Sequence, residues 1–162
     1  MTPKKLLPDP KVYNAHLMEG CASLEESIAP CLEFEKHMGY EGLVPERFQV
    51  GFKNQQNEDL KAVLQSDIIV ADIRRCGDVV EGKPLIGKGT NREIGIVQGL
   101  NYAYTKGAYD KLRPIILVVR KNKRRHCFDL EGSPAEFKVT KVVFSMKEAA
   151  EYIKSGQWRK WK

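Results

Sequence analysis

Short β-branched runs alternate with stretches of helical periodicity along this chain. Lys11-Val-Tyr-Asn-Ala-His-Leu17 reads as a first strand. From Ala22 to Gly39, Leu24, Ile28, Cys31, Leu32 and Glu35 recur at helical spacing, Gly39 supplies the stop, and Pro30 marks a kink or the true helix start. A second short strand follows near Gly42-Leu-Val44. Asn57 to Leu64 reads as a short helix with Asn57 at its cap and acids in its first turn, where the helix end is positive. Asp67-Ile-Ile-Val-Ala-Asp-Ile-Arg74 is apolar, β-branched and closed by an acid, as a buried parallel strand reads when it finishes at a site.

Residues 75 to 89 hold Gly77, Gly82, Gly87, Gly89 and Pro84, and a long loop of this kind inside a domain predicts a cover over a functional site. Thr90 to Lys106 is helical, with Ile94, Val97, Leu100, Asn101 and Tyr104 on one side and Gly107 at its end. Arg113 to Val119 is a further buried strand, Phe137 to Phe144 alternates like a sheet edge, and Ser145-Met-Lys-Glu148 is a capping box before the last helix. The order β-α-β-α-β-α-β-β-α predicts a three-layer α/β sandwich with a mostly parallel five-stranded sheet, flavodoxin-like or Rossmann-like in kind.

Bulk properties narrow the class without naming a function. A chain of 162 residues fits one domain, residues 1–162 with a basic tail at 157–162, and buries roughly 70% of its unfolded surface. No apolar run approaches the ~20 residues of a membrane span, and prolines interrupt the first residues before any signal core forms, which points to a cytoplasmic protein. Cys21, Cys31, Cys76 and Cys127 show no C-x-x-C spacing, so free thiols are expected and no metal is implied. The net charge of +6 is concentrated in Arg120-Lys-Asn-Lys-Arg-Arg125 and the tail Trp158-Arg-Lys-Trp-Lys162. Such clusters hold phosphate or nucleic acid in some proteins, but a solvated loop and a frayed terminus account for them more simply.

The candidate chemistry lies beyond the carboxyl ends of the strands, where open parallel sheets form their ligand crevice. Asp72 ends a strand and Glu93 opens a helix in Gly89-Thr-Asn-Arg-Glu-Ile-Gly95, so the two are expected to meet as acid and nucleophile. Thr90-Asn-Arg-Glu93 is also a capping box, in which Glu93 serves only the helix start, and Asp72 has a competing role satisfying loop amides. His126-Cys127 is adjacent in sequence and offers no catalytic pair, since neighbouring side chains rarely face one site.

Three segments in order, Val12-Tyr-Asn-Ala15, Ser66 to Asp72 and Gly89 to Gly95, resemble the nucleoside 2-deoxyribosyltransferases over most of the chain. The resemblance implies that Glu93 attacks the anomeric carbon to give a covalent deoxyribosyl-enzyme, and that Asp72 protonates the departing base. A second base then takes the sugar, in the manner of retaining glycoside cleavage. It further implies substrate contacts at Tyr13, Asn14, Ala15, His16, Gln49, Lys88, Gly89 and Thr90, no cofactor, and a homo-oligomer whose neighbouring subunit completes the pocket. The partners implied are a nucleoside or nucleotide and a free base; no membrane partner is expected, and nucleic-acid binding through the basic loop and tail is a competing class.

Two departures from the family's pattern bear on substrate choice. Gly87 stands six residues before Glu93, where many members carry an aspartate, and His16-Leu17 replaces a Gly-Pro. Lys88 and the cluster at 120–125 favour a 5′-phosphorylated substrate, which leaves a nucleoside-monophosphate hydrolase as one alternative. A nucleotide-sensing domain that binds without turnover is another.

Overall fold

The computed structural model describes residues 8–48, 55–109, 111–121 and 140–161. Four parallel strands form its sheet: β1 (Val12–His16), β2 (Ile68–Asp72), β5 (Ile115–Val118) and β6 (Lys141–Val143), in the order β1-β2-β5-β6. Every residue of β1, β2 and β5 is buried, which explains their continuous apolar runs: a parallel strand covered on both faces has no polar side to show. The expected strand at Gly42-Leu-Val44 is reduced to an isolated parallel bridge between Leu43 and Tyr13. Counted as a rudimentary strand, it gives the flavodoxin-like order 2-1-3-4-5, but among the described residues the sheet has four full strands, not five. Gly42 permits this close approach, since a Cβ there would stand 2.5 Å from the Asn14 amide nitrogen.

Helices cover both faces. On one side α1 (Leu24–Met38) and α5 (Met146–Lys154) pack Phe34, Met38, Met146 and Ile153 against Val12, Ile68, Val70, Ile116 and Val118. On the other, α3 (Gln55–Gln65) and α4 (Lys88–Thr105) pack Ala62, Val63, Ile94 and Val97 against Tyr13, Ile69, Ala71, Ile115 and Leu117. The remaining elements are α2 (Pro45–Phe48), a hairpin of β3 (Val79–Val80) and β4 (Lys83–Pro84), and a terminal 3-10 turn at Gln157–Lys160. Among the described residues no helix is long and apolar enough to cross a membrane.

Several boundaries differ from the pattern-based reading. Helix α1 begins at Leu24 and runs through Pro30, capped by the Ser23 side chain on the Glu26 N–H. Its buried face is Ser27, Cys31, Phe34 and Met38, whereas Leu24 and Leu32 stand 66% and 50% exposed. Helix α3 begins at Gln55, so Asn57 lies inside it and is no cap. The capping box of α5 forms as expected, with Ser145 accepting from the Glu148 N–H. Cys21 and Cys31 are free thiols, but Cys76 is disulfide-bonded, against the expectation of free thiols. Arg120 pairs with Asp78, while residues 122–125 lie outside the described residues.

Candidate functional site

A cavity of about 180 Å³ opens beyond the carboxyl end of β1, between the loop after that strand, α2, α3 and the first turns of α4. Its walls include His16, Glu19, Asp59, Gly87, Gly89, Thr90, Arg92 and Glu93. Helix α4 brings in Thr90 and Glu93 because they lie on its buried stripe with Ile94, Val97 and Asn101. Glu93 is thus an acid at a core position, 5% exposed. It does not close a capping box with Thr90: the helix starts two residues earlier, and its cap, Gly87, makes no side-chain hydrogen bond. Gly87 holds a left-handed φ of 60° and presses against Leu17, where a Cβ would come within 3.1 Å of that side chain. The Thr90 hydroxyl is buried and has no hydrogen-bond partner among the described residues.

Glu93 is held instead by β1. The Tyr13 hydroxyl donates to Glu93 Oε1 at 2.7 Å, in a buried contact between residues far apart in sequence. Burial raises the Glu93 carboxyl to about 7, the Tyr13 bond works against that rise, and the charge of Asp59 adds to it. Tyr13 is pushed far upward by burial and by the neighbouring carboxylate, so it stays a neutral donor. Its ring belongs to the core and only its hydroxyl reaches the site, from behind Glu93 and not from the cavity wall.

Asp59 is the acid that faces Glu93, and the sequence reading missed it. It is 4% exposed on α3 and lines the same cavity, with Arg92 4.0 Å away. Its signal was present in the pattern: Asp59 precedes Ala62 and Val63 by three and four residues, so it occupies the apolar stripe of its helix.

The expected meeting of Asp72 with Glu93 does not occur in this cavity. Successive strand residues face opposite sides of a sheet. Ile69, Ala71 and Ile73 point toward α3 and α4, so Asp72 points toward α1. There it takes three hydrogen bonds from Arg74, one from the backbone N–H at 3.1 Å and two from the guanidinium at 2.9 and 2.8 Å. It borders a separate, smaller cleft with Ser27, Pro30 and Arg75.

His16 stands between the two clefts and borders both. Its Nε2 lies 2.5 Å from Glu46, its Nδ1 3.2 Å from the Asn14 carbonyl and 3.4 Å from the Cys31 sulfur. Burial alone would lower the imidazole, but the bonds to Cys31 and Glu46 outweigh it and raise it to about 11. Glu46, which also accepts from the Ser27 hydroxyl at 2.6 Å, is lowered because those bonds overcome its own burial. Burial raises Cys31, fully enclosed on α1, so it is an inert thiol.

Of the remaining expected contacts, Gly89 and Thr90 line the cavity, while Asn14 and Ala15 are buried in the sheet and do not. Lys88 contributes its backbone N–H near the cavity mouth, but its side chain is exposed and absent from the walls. Gln49 lies outside the described residues. The loop at 75–89 is partly ordered as the β3–β4 hairpin, and only Gly87 and Gly89 from it reach the cavity.

No family model matches the chain, and no curated protein matches it. Among solved structures, it is similar to a conserved protein from Enterococcus faecalis V583, with a TM-score of 0.55 at 19% identity, over 92% of this chain and 99% of that one. Likeness at that identity speaks to the fold, an α/β domain with helices on both faces of a parallel sheet.

Proposed function

We propose that the protein cleaves or exchanges the N-glycosidic bond of 2′-deoxynucleosides, with Glu93 as nucleophile and Asp59, in place of Asp72, as the acid. The observation that carries this reading is the Tyr13–Glu93 hydrogen bond at the wall of a cavity that Asp59 shares. Tyr13 engages Oε1 and leaves the second oxygen for the sugar. That oxygen bonds to the anomeric carbon as the carbon–nitrogen bond breaks, and the electron pair leaves with the base, which takes a proton from Asp59. An incoming base then attacks the same carbon, gives its proton to Asp59, and releases Glu93 as a carboxylate. Water in place of the base makes the reaction a hydrolysis. Two carboxyl groups sharing one proton suit this division, since one must be ionised and the other protonated.

The test is chromatography of bases released and exchanged when the protein meets deoxynucleosides and their monophosphates, with and without a second free base, beside Glu93→Ala. Exchange product from wild type alone supports the transferase, and free base alone supports the hydrolase. Nucleotide binding without turnover of any substrate would sink the enzyme reading and favour a sensing domain.

A further inference from the structure

The first turn of a long helix leaves backbone N–H groups without partners and carries partial positive charge, which makes it a natural cradle for a phosphate. In α4 that cradle faces the cavity, and it is already filled from within. Glu19, in the loop after β1, accepts from the Lys88 N–H at 3.1 Å and, more loosely, from the Ile86 N–H at 3.4 Å. Its carboxylate lines the same cavity as Asp59 and Glu93. Gly87, between those two N–H groups, contributes no cap of its own. Glu19 therefore delivers from another element the negative group that position 87 lacks.

The charges around the cavity favour the same conclusion. Three carboxylates, Glu19, Asp59 and Glu93, face it, against His16 and Arg92. His16 is committed to Glu46, and Arg92 lies 4.0 Å from Asp59. An entering phosphomonoester would have to displace Glu19 and would meet like charge. A hydroxyl, by contrast, donates to the lone pairs that Glu19 retains. The Thr90 hydroxyl, buried and unpartnered among the described residues on the same wall, is a second group ready for an uncharged polyhydroxyl ligand.

We propose that Glu19 is a specificity-determining residue that accepts the terminal hydroxyl of a nucleoside sugar and turns away the corresponding 5′-phosphate. This inference rests on the reading of the cavity as a nucleoside site, and it reverses the expectation drawn from Lys88 and the basic cluster.

The experiment uses the full chain, wild type and Glu19→Ala, with inorganic phosphate, a 2′-deoxynucleoside and its 5′-monophosphate as probes. Binding is read by calorimetry and by the backbone amide resonances of Ile86 and Lys88, and thermal melts check that the variant, altered at an exposed residue, remains folded. Wild type is expected to bind the nucleoside at least about tenfold more tightly than the monophosphate, and Glu19→Ala to narrow that ratio by about tenfold or more. Phosphate is expected to shift the Lys88 amide only in the variant. Tighter monophosphate binding by wild type, or an unchanged ratio in the folded variant, overturns the proposal. If neither protein binds a nucleoside or a nucleotide, the nucleoside-site reading fails and the specificity proposal with it. In that case a phosphate shift confined to the variant still establishes Glu19 as the occupant of the cradle.

Discussion

The two sides of the β1–β2 rim carry acids in opposite circumstances. Toward α1, each acid has a strong cationic partner: Glu46 is joined to His16, and Asp72 is gripped by Arg74. Toward α3 and α4, burial raises Glu93 to about 7, a neutral tyrosine hydroxyl is its donor, and the charge of Asp59 adds to the rise. The difference separates scaffold from candidate chemistry. A carboxylate satisfied by a guanidinium has little reason to react, whereas one kept near neutrality by burial and a like charge is poised to change state.

Breaking the second side should have the largest effect. Glu93→Ala is expected to lower base release by about 10³-fold or more, because Asp59 serves as the acid and Glu19 is held by the backbone N–H groups of Ile86 and Lys88. Asp72→Asn, assayed beside it, is expected to change base release by less than about tenfold. Parity of effect between these two variants would erase the distinction drawn between the sides.

Glu46→Gln attacks the first side. It leaves the His16 charge buried without its counter-ion and is expected to destabilise the fold by about 3 kcal/mol at neutral pH, measured by denaturant unfolding. The sign of the pH dependence follows from His16, whose folded value lies above its unfolded one. The stability it contributes is complete below about 6.5 and is lost as pH rises toward about 11, so the gap between wild type and variant should close over that window. A gap that widens with pH would mean that His16 is neutral.

Asp59→Asn sharpens the contrast within the cavity. Base release is expected to fall by about 10²-fold, as for loss of a general acid. The alkaline limb of kcat/KM, which should lie near 7 in wild type as the pair loses the one proton it shares, should vanish once Asp59 cannot carry that proton. An unchanged alkaline limb in the variant would mean that Asp59 does not carry the reacting proton.

The smallest effect is one of stability. Glu93 is raised on folding, so the native state holds a proton that the unfolded chain releases, and stability falls as pH climbs from about 4.5 to about 7. Glu93→Gln, which keeps an acceptor for Tyr13, should therefore be more stable than wild type above pH 7 and gain nothing near pH 4. Thermal melts at the two pH values decide it.

Much of this was legible in the chain, and the failures have identifiable causes. The β2 and β5 runs announce buried parallel strands because burial on both faces removes any need for polar alternation. Glu93 stood out through its glycine-flanked helix start. Asp59 did not, although an acid on an apolar stripe carries the same message, because acids near a helix N-terminus are so often electrostatic ornament. Asp72 was misplaced through a missed parity step: right-handed crossovers fix which face α4 covers, and alternation along β2 then turns Asp72 the other way. The stripe of α1 misled for a different reason. Its buried face carries Ser27 and Cys31 because it meets the His16–Glu46 pair, so its leucines were free to face outward.

Gly87 limits how this site can change over generations. An aspartate there would put a side chain on a left-handed backbone against Leu17, with a Cβ only 3.1 Å from it. Asp tolerates that conformation better than most residues, but the crowding at Leu17 remains, and Glu19 already occupies the neighbouring N–H groups. Gly87→Asp should thus be harmful alone and tolerated only beside a smaller residue at 17 and a neutral one at 19, a non-additive set by construction. A carboxylate supplied by the helix's own cap and one supplied by the loop after β1 are rival solutions, with no single-residue path joining them.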